Sequence, residues 1–440
     1  MNIMKLKIIG LTLLFYMLVP FLVQAEQNKN VYYYILVDRF ESGEQQDQAD
    51  VDVDDPTAYH GGDYKGIENR IDHLKTLGVT HVILSPVFQS ENYTGFNVTS
   101  YEELEKTFGT QSDLEGLINQ LKENDIEVIL HFPLNTDLAE QELVDYMTRW
   151  SNKLDIGGYY FSNTNQFSTD FWERVSEEVD GLKIGEAKDN SEELLEDGFH
   201  QVLKRDNMNE LVDFFKHYDQ PIDPLMNVMN LKNDKIINAM DLYDTDRFTH
   251  IFSETGSHPI THWKLAITFL MTTNNHPLFY HGSEIPLDGV KSDNTHHLMV
   301  NFLAGEDQLI KHIEKISNAY DNLPALAQGD MEILHADDSY LVFKKTYQDE
   351  TNIVAINNSS TLQRVDIDLP AGKELRGILK NDLIRENSDG SYSVAVEREA
   401  SNIYMVQENT GINLPLVLVF GGVMSVFIVF AILMYRKNRR

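Results

Sequence analysis

Between Val31 and Asn322, short apolar runs that read as strands alternate with stretches whose apolar residues recur at helical spacing. That alternation restricts the chain to a mostly parallel sheet covered by helices. Val31–Val37 reads as the first strand. Ile67, Ile71 and Leu74 share one helical face, and Gly78 falls where a helix C-terminal glycine belongs. Val79–Leu84 is a second strand. Ser112 and Glu115 form a capping-box pattern around Leu114, Leu117, Ile118 and Leu121. Ile126–Phe132 is a third strand, and weaker ones follow at Gly158–Phe161, Leu182–Ile184, Gln201–Leu203, Ile236–Leu242 and Pro277–Tyr280. Eight strand–helix units predict a (β/α)8 TIM barrel over residues 26–322. A doubly wound α/β sheet is the alternative.

The texture then changes. Tyr340–Lys345, Asn352–Asn357, Arg364–Leu369 and Tyr392–Val396 read as strands separated by turn residues. They predict a C-terminal antiparallel β-sandwich over 323–406, with 407–413 as a linker.

Both ends have a distinct pattern. Lys5 and Lys7 precede an apolar run, Ile8 to Val23, and a small-residue site at Ala25. Residues 1–25 therefore read as a signal peptide, with an uncleaved anchor as the alternative. Residues 414–435 carry no charge and match a transmembrane helix in length. Arg436, Lys437, Arg439 and Arg440 follow, so residues 436–440 read as a cytoplasmic basic tail. A buried core helix explains an uncharged run with a basic stop less well. The expectation is a single-pass protein of a bacterial cell membrane with its N-terminal ectodomain outside.

Composition narrows the partners. The chain has 36 basic and 69 acidic residues, a formal net charge of −33. Nucleic acid is excluded as a partner, because binding it requires cations that neutralise phosphates. The chain has no cysteine, which excludes disulfides, thiolate metal sites and a cysteine nucleophile.

Several stretches resemble the α-amylase family of glycoside hydrolases, in that family's order: Tyr34 to Phe40, His60 to Ile67, Gly78 to Phe88, Phe108-Gly109-Thr110, Gly185-Glu186-Ala187, Asp244 to Phe248 and Tyr280 to Ile285. Leu323-Pro324-Ala325-Leu326 and Asn357-Asn358-Ser359 resemble its C-terminal sandwich. The resemblance implies cleavage of α-glucosidic bonds with retention, which needs two carboxylates flanking the bond. It places the acid/base at Glu186 and the transition-state stabiliser at Asp244. It places the nucleophile at Ser162, where the family has aspartate, and Tyr160 where the family has arginine. Around the sugar it places Tyr160, Asn135, Tyr243 and Arg247. His131 and Thr136 replace a family aspartate and histidine. The segment that carries a lid in the family is only about Asp137–Lys153.

A serine hydroxyl cannot replace a carboxylate at the sugar carbon without a strong base. His131, Ser162 and Asp244 would suggest a hydrolytic triad if they met; coincidence of drifted positions is the simpler reading. The acidic loop Glu44–Pro56 adds one further expectation. Asp50, Asp52, Asp54, Asp55, Gly61 and Asp63 are candidate Ca2+ ligands, because hard oxygens suit that ion. A solvated acidic loop is the alternative.

The expected function is a cell-surface, α-amylase-like protein that binds or metabolises α-glucan or maltooligosaccharide and is catalytically impaired at Ser162. An active hydrolase or transferase with an atypical site is the second reading. An accessory protein for another membrane protein is the third.

Overall fold

The computed structural model describes residues 29–43, 51–188, 190–229, 234–253, 258–303, 307–411 and 414–437. The expected signal peptide, Asp50 and most of the basic tail lie outside the described residues.

Eight parallel strands close into a barrel: β1 (Tyr32–Ile35), β2 (His81–Leu84), β3 (Glu127–His131), β4 (Gly158–Phe161), β5 (Leu182–Ala187), β6 (Gln201–Lys204), β7 (Ile236–Asn238) and β8 (His276–Tyr280). Each strand pairs with its sequence neighbour, and β1 closes onto β8 through Tyr34 and Tyr280. The doubly wound alternative is thereby overturned, since an open sheet has edges and this one has none. Successive side chains on a strand alternate in and out. Tyr33, Ile35, Val82, Leu84, Val128 and Leu130 pack outward against helices. Tyr32, Tyr34, Ile83, Ile129, Tyr160, Ile184 and Tyr280 fill the interior. Burial on both faces is why these strands read as continuous apolar runs.

Several strand limits differ from the sequence reading. β1 ends at Ile35, where a helical turn over Val37–Arg39 begins. β5 runs on to Ala187, which carries Glu186 within a rigid strand. β7 stops at Asn238. The capping box also lies two residues earlier than expected: Thr110 and Asp113 cap the helix Gln111–Glu123, and Ser112 is already inside it. Gly78 follows its helix as expected, at φ +71°, and a Cβ there would meet Ser317 Oγ at 2.0 Å.

Between β3 and β4 the chain forms only a loop and the covering helix Glu140–Lys153. The barrel mouth therefore has no lid on that side.

The C-terminal domain is built on β9 (Asp330–Asp337), β10 (Tyr340–Tyr347), β11 (Glu350–Asn357), β12 (Gln363–Asp368), β13 (Lys373–Gly377), β14 (Leu383–Arg385), β15 (Ser391–Val396) and β16 (Ala400–Glu408). The large sheet has the order β9-β10-β11-β16-β13-β14, and β12 pairs with β15 as a separate ribbon. All ladders are antiparallel. The domain packs on the barrel helix Pro259–Thr272, which is buried along nearly its whole length because it serves both domains. Thr268 Oγ1 meets Ser401 Oγ at 2.8 Å, and Asn358 donates to the carbonyls of Phe214 and His217.

Leu414–Lys437 forms one helix, with exposed apolar side chains including Leu418, Phe420 and Phe427. Among the described residues, no helix is long and apolar enough to cross a membrane.

Candidate active site

The C-terminal ends of β4 to β7 converge on a cavity of ≈ 330 Å³, where catalytic groups of a barrel are expected. Its wall includes Ser162, Glu186, Arg205, Tyr243 and Asp244, with Phe96 contributed by the loop after β2. The fold thus brings together Ser162, Glu186, Tyr243 and Asp244, with Tyr160 beneath Glu186.

Glu186 is 9% exposed. Its Oε1 accepts hydrogen bonds from the Tyr160 hydroxyl at 2.8 Å and the Tyr243 hydroxyl at 2.6 Å. Burial raises its pKa; Arg205 and the two hydroxyls oppose that rise, and Asp244 reinforces it. Arg205, the first residue of the helix after β6, holds the opposite side. Its Nη2 donates to Asp244 Oδ2 at 2.5 Å, and its Nη1 lies 3.5 Å from Glu186 Oε2. Burial works against the Arg205 charge, but the Glu186 and Asp244 carboxylates outweigh it and raise its pKa.

Ser162, just past β4, shares a hydrogen bond of 3.0 Å with His131 Nε2. His131 Nδ1 is 2.8 Å from the Tyr34 hydroxyl. Burial lowers the His131 pKa to about 3, so the ring is neutral and carries a single proton. Asp244 does not complete a triad, because its bonded partner is Arg205. A buried imidazole without a carboxylate partner is a poor base for activating serine.

Aromatic rings fill the floor. Tyr243 is sandwiched between Phe96 and Tyr34, with centroids 5.0 and 4.9 Å away and interplanar angles of 26° and 22°. His131 packs edge-on against Tyr160 and Phe96. These rings form a continuous aromatic layer, with geometry that favours such pairs.

Two other expected sugar-binding residues stand apart from this cavity. Arg247 is buried; its guanidinium lies over the Tyr280 ring at 3.9 Å and donates to the carbonyls of His281 and His296. Asn135 is half-buried, and its side-chain oxygen accepts from the Asp137 backbone N–H. Arg205 was missed in the sequence because it belongs to no quoted motif. Its signal was available: a cation directly after a barrel strand, Leu203-Lys204-Arg205, faces the catalytic end.

The described members of the Ca2+ set do not converge. Asp63 caps a helix, accepting from the N–H groups of Gly66 and Gly43. Asp55 is engaged by Thr57, and Asp52 by the Asp54 N–H. Gly61 donates to Asp38. Among the described residues, no group of three or more carboxylate or imidazole side chains is placed to hold a metal.

Comparison with known proteins agrees with this architecture. A sequence model of the α-amylase catalytic domain matches residues 34–169, and one of the α-amylase C-terminal domain matches residues 329–404. A cyclomaltodextrinase of Geobacillus thermopakistaniensis is 24% identical over 74% of this chain and 67% of its own. An Anoxybacillus α-amylase structure superposes with TM-score 0.82 at 31% identity, covering 88% of this chain and 99% of that one. The α-amylase of Geobacillus thermoleovorans, solved with acarbose, gives TM-score 0.79 at 28% identity over 87% and 99%.

Proposed function

The chain belongs to the α-amylase family, and on that premise we propose that it binds α-glucan or maltooligosaccharide at the barrel mouth while hydrolysis is impaired. One observation carries this reading. Ser162, which the resemblance puts at the nucleophile position, is bonded to a neutral histidine, while Glu186 is closed in by Tyr160, Tyr243 and Arg205. A retaining mechanism needs a carboxylate opposite the acid/base. Here the second carboxylate, Asp244, is tied to Arg205. The relatives support the ligand class: one is a cyclomaltodextrinase, and another was solved with acarbose.

We further propose that the ectodomain faces outward from a bacterial cell membrane, held by the helix Leu414–Lys437 and delivered by residues 1–25. The uncharged run and the basic residues after it support this orientation.

The test is calorimetry and reducing-end release on the purified chain with maltooligosaccharides. The expected result is binding on the order of millimolar to micromolar without cleavage. Cleavage that disappears in Glu186→Gln would overturn the impaired reading. Absence of binding to starch-, sucrose- and trehalose-type sugars would shift the assignment to a protein partner.

A further inference from the structure

A cleft of ≈ 560 Å³ lies on the flank of the barrel, between the helices Pro259–Thr272 and Gln308–Asn322 and the turn that leads into β16. Five cations line it: Lys264, Lys311, Lys315, Lys380 and Arg398, against the carboxylates of Glu397 and Glu399. That excess occurs in a chain with nearly twice as many acidic as basic residues. The cavities at Glu186, at Asp197 and at Asp113 are neutral or acidic in lining. A random draw from this composition would make the flank cleft acidic too.

Some of the charge is already balanced. Lys380 pairs with Glu397 at 2.8 Å, and Lys311 pairs with Asp307 on the rim at 2.5 Å. Both pairs are solvent-exposed, so they contribute little and can be exchanged for a better anion. Lys264 donates to the Gln308 side-chain oxygen at 3.0 Å. Lys315 lies 3.4 Å from the Leu379 carbonyl.

We propose that this cleft binds a phosphorylated saccharide through its phosphate group. An ammonium is a compact point charge that suits a tetrahedral phosphate, whereas a planar carboxylate is better matched by paired arginine forks. The volume suits one or two sugar-sized units. Lipid headgroups of the membrane next to the C-terminal helix are a poorer fit by position. The cleft touches the first residues of β16, and that strand runs 9 residues away from it before the helix begins. At the rise of a β-strand, this separation is about 30 Å. The negative field of the whole protein repels anions at long range, so binding depends on contacts within a Debye length.

The test uses the full-length chain in a neutral detergent, with inorganic tripolyphosphate as probe in calorimetry. The expected result is saturable binding that weakens about tenfold between roughly 50 and 200 mM salt. Lys315→Glu combined with Arg398→Glu should abolish it, with the thermal midpoint unchanged. Lys315→Gln with Arg398→Gln should weaken it by about the same factor as the salt step. Lys65→Glu, in a different cavity, should leave it intact. Absence of tripolyphosphate binding, or full affinity in the double charge reversal, would overturn the proposal. So would binding to phosphatidylglycerol vesicles without binding to tripolyphosphate, since a lipid surface would then be the ligand.

Discussion

Arg205 bridges the two acidic positions of the barrel mouth, at 2.5 Å from the Asp244 carboxylate and 3.5 Å from that of Glu186. The resemblance to the α-amylase family implies an arginine where this chain has Tyr160. The positive charge of this site stands instead at the end of β6, where it neutralises Asp244 and Glu186. Tyr160 itself bonds Glu186.

Removing this bridge leaves two carboxylates sharing a semi-buried site. Arg205→Met should lower stability by about 2–4 kcal/mol, at the lower end because Asp244 is a third exposed. Adding Glu186→Gln should recover part of the loss. Equal melting temperatures for wild type and Arg205→Met would contradict the arrangement.

Restoring the nucleophile alone should not restore turnover. In Ser162→Asp the new carboxylate would face His131, a ring that burial keeps neutral, and Tyr160 in place of an arginine. Maltooligosaccharide cleavage should stay at background. Substantial activity in this single variant would mean that the aromatic floor is no obstacle.

Acid should unfold the protein early. Burial lowers the pKa of His81 and His276 to about 4, and of His131, His297 and His312 to about 3. The unfolded chain binds protons at these groups from about pH 6.5 downward, whereas the folded chain does not. Stability is therefore full above pH 6.5 and falls progressively toward pH 4 and below. A thermal midpoint that is flat from pH 7 to pH 4 would refute this.

Lys345 should give the opposite-end signal. It is wholly buried in β10, its Nζ has no hydrogen-bond partner, and burial lowers its pKa to about 7. The unfolded chain holds this proton up to about pH 10.5, so wild-type stability recovers as pH rises from 7 toward 10.5. Lys345→Met should raise the midpoint at pH 6–7, with a gain that shrinks toward pH 10. A gain independent of pH would assign the effect to packing alone.

Orientation in the envelope is checked on intact cells. Protease shaving should remove the ectodomain and leave a small membrane-embedded stub. Full resistance to shaving would reverse the proposed topology.

A parallel sheet buried on both faces was legible in the sequence, because apolar strands separated by amphipathic helices have few other ways to hide their surface; its closure into a barrel was not, since an open doubly wound sheet reads the same way. Motif order also placed Glu186 and Ser162 at strand ends, whereas Asp244 lies in the loop after β7. Strands β9, β13, β14 and β16 were not legible in the same way. β9 is mostly half-exposed, β13 and β14 are only 5 and 3 residues long, and β16 pairs with β11 and β13, segments distant from it in the chain. Only the tertiary structure decided that Arg205 would clamp Asp244 and Glu186, that Tyr243 would lie between Phe96 and Tyr34, and that Arg247 would turn away from the cavity. Each of these is a contact between different strands or loops. Closure of the barrel, rather than local propensity, sets the angles at which those side chains meet.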